Sequence, residues 1–499
     1  MRYFSRLVLA AATISATAIS AMPAPVLAQE ALKIGATFLL GSEDPTAGSA
    51  GWALVSHGVG EKLFMVDKDG KLVPELAATA ERTGDLEWII TLQPDRRFSD
   101  GTPVTAAAFA AGFANTFAKS KTAAATGGKL SFESTGELTL KVTTEKPVPL
   151  IQALFAEWPL VAYTLNDAGD AVYTGPYAIA ELRPDSHLDL VPNQHFEGAG
   201  ERSPITLRKF GDAQTMALAF ETGELDLAFG LPSEVLSRLK ANPGLTVKSF
   251  PVGYQYFGFL NTERPALSDP LVRQAVDLAI DRAQLVAAIN GGQPATGAFA
   301  PYFAFAPREP RSTDLDKASA LLDEAGWTVG ADGIRVKDGE RLHLQVFAYP
   351  QRPDLVTMLP VVKAALAKVG IEIGTQVVEN LNEVAASGEF DIFLWAQHTA
   401  PSGDPAFFLN SMLRSDGPLN HARYDSEEFD AIIARFSSSG EAKRRAEIAL
   451  DAQQKLFEDV PVTFLVSPSW HVGVSERLAD YEPWGSDYHV IRPDMGETR

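Results

Sequence analysis

Residues 342–349 read LHLQVFAY, and the stretch they open decides the fold. This apolar run of strand length is followed by residues 355–369, LVTMLPVVKAALAKV, which read as a helix stopped at Gly370. Residues 371–378 then read as a strand, 381–387 as a short helix, and 390–396 as a buried apolar strand. Strand-helix alternation of this kind requires crossover connections, so the region is α/β with parallel pairing. The last strand is entered through Gly388-Glu389-Phe390-Asp391-Ile392, and the first half of the chain contains the matching phrase Gly223-Glu224-Leu225-Asp226-Leu227 after a helix predicted over residues 216–222. Two crossovers that finish with Gly-Glu-apolar-Asp-apolar predict two similar α/β lobes.

Outward from this centre, residues 32–40 read as a strand leading into a Gly/Ser/Asp/Pro loop (41–51) and a helix-like stretch through Leu63. EWIITL at 87–92 alternates with a period of two and predicts a strand. Ser99-Asp100-Gly101 reads as a turn, and Ala106 to Ala118 as an alanine-rich helix with Thr105 as N-cap. Residues 138–143 read as another strand.

The N-terminus carries an export address. Arg2 and Arg6 precede an apolar run from Leu7 to Ser20, too short to span a bilayer comfortably, and Val26-Leu27-Ala28 offers small residues ahead of Gln29. Pro23 and Pro25 argue against a helix of the fold, and no cysteine at the junction can take a lipid. A chain beginning at Gln29 would be free in the periplasm of a Gram-negative cell. Removal of this leader takes away two arginines and no acids, so the formal charge moves from −20 to −22. So acidic a surface repels nucleic acid and anionic lipid. With 46% hydrophobic and 21% charged residues, the composition is that of an ordinary globular protein, and its length calls for two or three domains. Zero cysteines exclude disulfides, thiolate metal sites and cysteine nucleophiles.

Searches for catalytic motifs return little. No GxxxxGK[ST], HExxH or GxSxG occurs, and the eight histidines lack metal-ligand spacing. Ser237-Arg238-Leu239-Lys240 matches SxxK, but neither SDN nor KTG accompanies it, and a solvated helix face is the reading favoured over a secreted hydrolase. No activated nucleophile and no paired acid and base are built, so the sequence reads as a binding protein, not an enzyme, with no cofactor.

Several phrases together resemble the family 5 extracytoplasmic solute-binding proteins, the peptide, nickel and opine receptors of ABC importers. They are FSDGTPVTA (98–106), TGPY (174–177) with VPNQHF (191–196), YFGFLNT (256–262), LVRQAVDLAIDR (271–282), ALLDEAGW (320–327), and an Asp/Glu-Pro-x-x-Phe-Leu-x-x-Met block beginning at Asp404. They run in order through essentially the whole chain after the leader. The resemblance implies an α/β, two-lobed periplasmic binding protein fold (type II, cluster C-like) with an extra subdomain at about 60–167. Lobe I then covers 29–255, lobe II 256–470, and 471–499 returns to lobe I. Two strand-like hinges should fall near 252–260 and 463–474. The implied function is capture of a small peptide-like solute for an inner-membrane ABC permease and its ATPase, with a nickel chelate, metallophore or opine as the alternative, by a monomer.

At the positions that bind ligand in the family, this chain departs from the pattern. The aspartate that clamps a peptide ammonium falls at Pro401, leaving Asp404 as a substitute clamp or a turn former. The arginine that holds carboxylates in nickel-chelate receptors falls at Trp158, and its helper Arg and Trp fall near Thr122 and Ala125. His421 lies near the metal-contacting histidine, or is a plain loop residue. Trp52 and His57, in a segment that looks like the nickel branch, could line the cleft or serve as a helix contact and a cap. With Tyr256 and His398, these give a candidate ligand site of Trp52, His57, Trp158, Tyr256, His398, Asp404 and His421, in which aromatics and histidines take the place of charged clamps. Whether a metal belongs to the ligand is left open by the residues. N-terminal sequencing of protein recovered from the periplasm is expected to begin at or close to Gln29; an intact Met1 would refute the leader.

Overall fold

The computed structural model describes residues 30–350 and 352–495; the expected leader, residues 1–28, lies outside them. Two sheets organise the chain. The first has seven strands in the order Tyr177–Arg183, His187–Pro192, Ile205–Lys209, Leu32–Ala36, Leu227–Phe229, Ser469–Val474, Thr246–Pro251. The second has six, in the order Gln293–Pro294, Val462–Ser467, Tyr254–Leu260, Ile392–His398, His343–Ala348, Glu372–Val377. In each, one strand is flanked by two parallel neighbours: Leu32–Ala36 in the first and His343–Ala348 in the second.

The strand-helix alternation read from the sequence is present, with helices Pro353–Ala367 and Leu381–Ser387 between the parallel strands. Pro353 sits in the first turn, where a missing N–H costs nothing. Pro360 lies inside the same helix on its exposed face, while Leu355, Met358, Leu359, Val362 and Leu366 bury the other face and hold the helix together. Gly370 ends the turn at a φ of +82°, open to glycine at little cost.

The repeated Gly-Glu-apolar-Asp phrase has one structural meaning in both lobes. Gly223 and Gly388 take positive φ (+79° and +70°) at the end of a helix. Three residues on, Asp226 accepts the backbone N–H of Lys33 at 2.9 Å, and Asp391 accepts that of Gln345 at 2.7 Å. Each carboxylate thus ties the start of one parallel strand to the neighbour it pairs with. Arg477 (2.9 Å) and Arg264 (2.8 Å) hold the two carboxylates from the other side.

A four-stranded antiparallel sheet, Ala77–Arg82, Glu87–Leu92, Thr139–Thr144, Leu130–Ser134, carries helix Ala106–Lys119 on one face. EWIITL buries every second residue, Trp88, Ile90 and Leu92, against Phe109 and Phe113 of that helix. Thr105 caps the helix by accepting the Ala108 N–H at 3.2 Å. The helix expected through Leu63 is shorter, Ala50–Ser56, because the chain turns at Gly58 (φ +69°), where Val59 and Gly60 both donate to the Leu54 carbonyl.

The chain passes between the two sheets twice at adjacent places, between Pro251 and Tyr254 and between Ser467 and Ser469. Thr246–Pro251 pairs antiparallel with Ser469–Val474 in the first sheet, and Tyr254–Leu260 with Val462–Ser467 in the second. At the crossing point the Val252 N–H points to the Pro468 carbonyl at 3.4 Å. Arg282 anchors the second-sheet side, donating to the Phe464 carbonyl at 2.6 Å and pairing with buried Asp277, which also accepts from Thr463 at 2.7 Å. Burial pushes Asp277 up, but Arg282 and Arg311 outweigh it and hold the carboxyl below its usual range.

Gly253 has no room for a side chain: a Cβ there would stand 2.3 Å from the His398 ring and 2.9 Å from the Tyr302 hydroxyl. Gly253→Ala is expected to destabilise the protein by about 1–3 kcal/mol through overpacking, read as a melting temperature lowered by a few degrees. An unchanged melting temperature would show that the crossing tolerates bulk.

Candidate ligand cleft

The C-terminal ends of the central strands of both sheets open onto one cavity of about 550 Å³, within the range of small-molecule sites. From the first sheet, Thr37 and Phe38 follow strand Leu32–Ala36, and Gly230 to Glu234 follow Leu227–Phe229. From the second, Arg352, Pro353 and Asp354 follow His343–Ala348, and Tyr256 stands on the crossing strand. Trp470 and His471 come from the other crossing strand, Trp52 from helix Ala50–Ser56, and Asp487 from the C-terminal segment. Ligands of open parallel sheets bind outside the carboxyl ends of the strands, for there successive loops diverge and leave a crevice.

The walls are aromatic, with a few charges. Phe38 packs on Trp52 with ring centroids 4.7 Å apart, and Trp470 stacks obliquely on Tyr254 at 5.4 Å. The Arg352 guanidinium lies over the Tyr254 ring, 5.0 Å from its centroid, and forms no ion pair with a carboxylate among the described residues. The Tyr256 hydroxyl donates to Asp354 at 2.9 Å. Burial raises the Asp354 carboxyl above the usual range, an effect the Tyr256 hydrogen bond offsets only in part. Burial also pushes Asp487 up to about 6, against a hydrogen bond from the Trp52 side chain. His471 binds Ser249 through Nδ1 at 2.8 Å, and burial pushes its imidazole down to about 4, so it is neutral near pH 7.

Of the seven residues read from the sequence, the structure brings Trp52 and Tyr256 together in this cavity. His57 lies behind the wall, fully buried and stacked on Phe38 at 5.5 Å; burial pushes it down to about 3. His398 is buried beside the crossing, stacked on Tyr488 at 6.1 Å, in a small adjoining cavity with Lys62 and Trp484. Trp158 opens a single helical turn and packs with its backbone and ring against Gly51, on the helix that carries Trp52. His421 rests on Phe259 (5.4 Å) and Trp395 (5.2 Å), farther along the second sheet from the crossing. Asp404 is held bidentately by Arg445, at 2.6 and 2.9 Å, with both side chains largely buried. Its carboxylate is therefore occupied by the protein, and it borders a different groove.

That groove, about 930 Å³, runs between the segment around Phe64–Ala80 and the second-lobe residues Phe305, Arg445 and Leu450. It is more apolar than the cleft. Glu181, His187 and Asp189 form the one described group of histidine and carboxylates within metal-binding reach of one another; they sit on the outer hairpin of the first sheet, and Arg183 already pairs with Glu181. Ser237 and Lys240 are exposed on a five-residue helix.

Sequence reading missed Arg352, Asp354, Trp470 and Asp487. For the first two a signal existed: Arg352-Pro353-Asp354 joins a predicted strand to a predicted helix at the end of a parallel strand, where ligand loops lie. Trp470 and Asp487 come from crossing and C-terminal segments with no motif of their own.

A family model described as bacterial extracellular solute-binding proteins, family 5, middle, matches residues 71–420. The nickel-binding periplasmic protein of Escherichia coli is 26% identical over 438 residues, 81% of this chain and 83% of that one. The glutathione-binding protein GsiB of Salmonella paratyphi A is 25% identical over 512 residues, 96% and 95% of the two chains. Among solved structures, the nickel ABC transporter protein from Bacillus halodurans superposes with a TM-score of 0.84 at 27% identity, covering 93% of this chain and 99% of that one.

Because Asp404 is committed to Arg445, Asp404→Asn should leave a buried guanidinium unpaired and cost about 3 kcal/mol or more. The melting temperature is expected to drop by several degrees while solute affinity of the folded protein is kept; lost affinity at unchanged stability would return Asp404 to the ligand site.

Proposed function

The chain belongs to the family 5 bacterial extracellular solute-binding proteins, and we propose that it captures a small peptide-like solute in the cleft between its two sheets and hands it to an ABC importer. The observation that carries this reading is Arg352, a cation in an aromatic-walled cavity with no carboxylate in ion-pair contact among the described residues. A guanidinium offers paired N–H donors that suit a carboxylate, and the faces of Trp52, Tyr256 and Trp470 suit a flat or apolar body. A solute of that kind is bound by enclosure as the lobes close at their two crossings, and the closed form is what a permease and its ATPase would read. The leader and the periplasmic and extracellular relatives support a periplasmic location for this chain; the protein would act as a monomer.

A nickel chelate is the second reading. The similarity to nickel-binding relatives favours it, as does His471, neutral in the cleft wall. Arg352 could hold the carboxylates of a chelator as well as those of a peptide.

Native mass spectrometry of protein isolated from the periplasm would identify the solute that travels with it. Arg352→Ala is expected to weaken calorimetric affinity for that solute by about tenfold to a hundredfold, the worth of a charge-assisted hydrogen bond. The melting temperature of the empty protein should barely change, since no carboxylate loses a partner. Unaltered affinity would remove Arg352 from the site; a solute containing nickel would replace the first reading with the second.

A further inference from the structure

We propose that Asp487 is the ammonium anchor of the cleft, so that the solute carries a free amine at the end opposite its carboxylate. The inference rests on the reading that the cleft captures a peptide-like solute, and it names the recognition group for the solute's other end.

The other acidic groups at or near the cleft are engaged by the protein or exposed to solvent. Pro401 occupies the place of the family's clamp. Asp404 is gripped by Arg445, and Asp354 accepts the Tyr256 hydroxyl. Glu234 is exposed at the rim. Asp487 differs from all of these: it lines the cavity beside the neutral Trp52 side chain and has no cation within ion-pair distance among the described residues. A carboxylate taken from water without a charged partner is costly, and an ammonium group placed against it removes that cost. The surroundings suit such a group. Trp52 and Phe38 line the same wall, and an aromatic wall attracts a cation through the ring quadrupole. Arg352 lines the same cavity from the other lobe and acts on Asp487 without forming an ion pair with it, so a solute can set its carboxylate on the arginine and its amine on the aspartate.

Burial of the anchor gives solute binding a pH dependence. In the empty protein burial pushes Asp487 up to about 6. Below that pH the group is protonated and cannot pair with an ammonium, so binding must release a proton and affinity falls as pH drops through about 6. The groups that face Asp487 are Trp52, Arg352, Tyr254 and Tyr488; both tyrosines are raised by burial and stay neutral, and His398 beside Tyr488 is pushed down to about 3. Glu157, which acts on Tyr488 and is raised by burial to about 7, titrates nearby, so the comparison with Asp487→Asn isolates the aspartate.

Protein freed of bound solute by unfolding and refolding is incubated with a casein hydrolysate, either untreated or with its amines acetylated, and retained peptides are identified by mass spectrometry after gel filtration. Wild type is expected to retain peptides from the untreated digest and at least tenfold less from the acetylated one, with retention falling between pH 7 and pH 5. Asp487→Asn keeps an acceptor for Trp52 and should fold; it is expected to lose both the discrimination and the pH dependence, while Asp487→Glu recovers part of each. Equal retention of acetylated peptides by wild type, or undiminished discrimination by Asp487→Asn, or by Asp487→Ser should the asparagine protein not fold, overturns the anchor and leaves solute capture standing. Retention of nothing from either digest overturns the peptide-like reading, and the anchor with it.

Discussion

The cleft depends on a two-stranded antiparallel ribbon that changes sheets without losing its partner. Thr246–Pro251 and Ser469–Val474 pair in the first sheet, Tyr254–Leu260 and Val462–Ser467 in the second, and the Val252 N–H reaches the Pro468 carbonyl where both strands cross. Backbone groups buried at such a crossing need partners, and pairing the two crossings with each other supplies them. The ribbon can therefore bend about few dihedrals while the ladders on either side persist, which is the physical content of a hinge. Its second-sheet end is pinned by Arg282 and Asp277 to Thr463 and Phe464.

Both lobes present equivalent ends to the space beside this ribbon. In each, a carboxylate following a Gly-Glu phrase ties one parallel strand to the next, through Asp226 to Lys33 and Asp391 to Gln345. The tie lies at the start of the neighbouring strand, so its other end is where the loop must turn away. Phe38 and Arg352 are the products of that arrangement, one from each lobe, and they face a common cavity.

Much of this was legible in the chain. The alternation around residues 342–396, the echo at 223–227 and 388–392, and the alternating EWIITL strand are local patterns, and local patterns survive as elements when the core agrees with them. The helix after Ala50 was overread because Gly58 and Gly60 turn the chain back on Leu54, a hydrogen-bonding choice that hydrophobic content does not reveal. The candidate site was less legible. Trp52 and Tyr256 line the cavity, whereas His57, His398 and His421 are packed against rings, at Phe38, at Tyr488, and at Phe259 and Trp395. A histidine in sequence carries no mark of whether its ring nitrogens will meet solute or an aromatic face.

The same limit applies to charge. Asp277, Asp404, Asp226 and Asp391 are carboxylates like Asp487, and Arg282 and Arg445 are guanidinium groups like Arg352; only the tertiary structure decides which are already paired. The paired ones fix strands and helices, and replacing one partner leaves a buried charge behind. The two without an ion-pair partner among the described residues both line the cavity, on segments attached to different lobes. Closing the cleft over water-filled space would strip solvent from both for little return, while closing it over a solute of complementary charge satisfies them together. A ligand shifts a two-state equilibrium only by its differential affinity for the two states, and groups that find their full complement of partners only when the lobes meet around a solute are what give the closed state that difference.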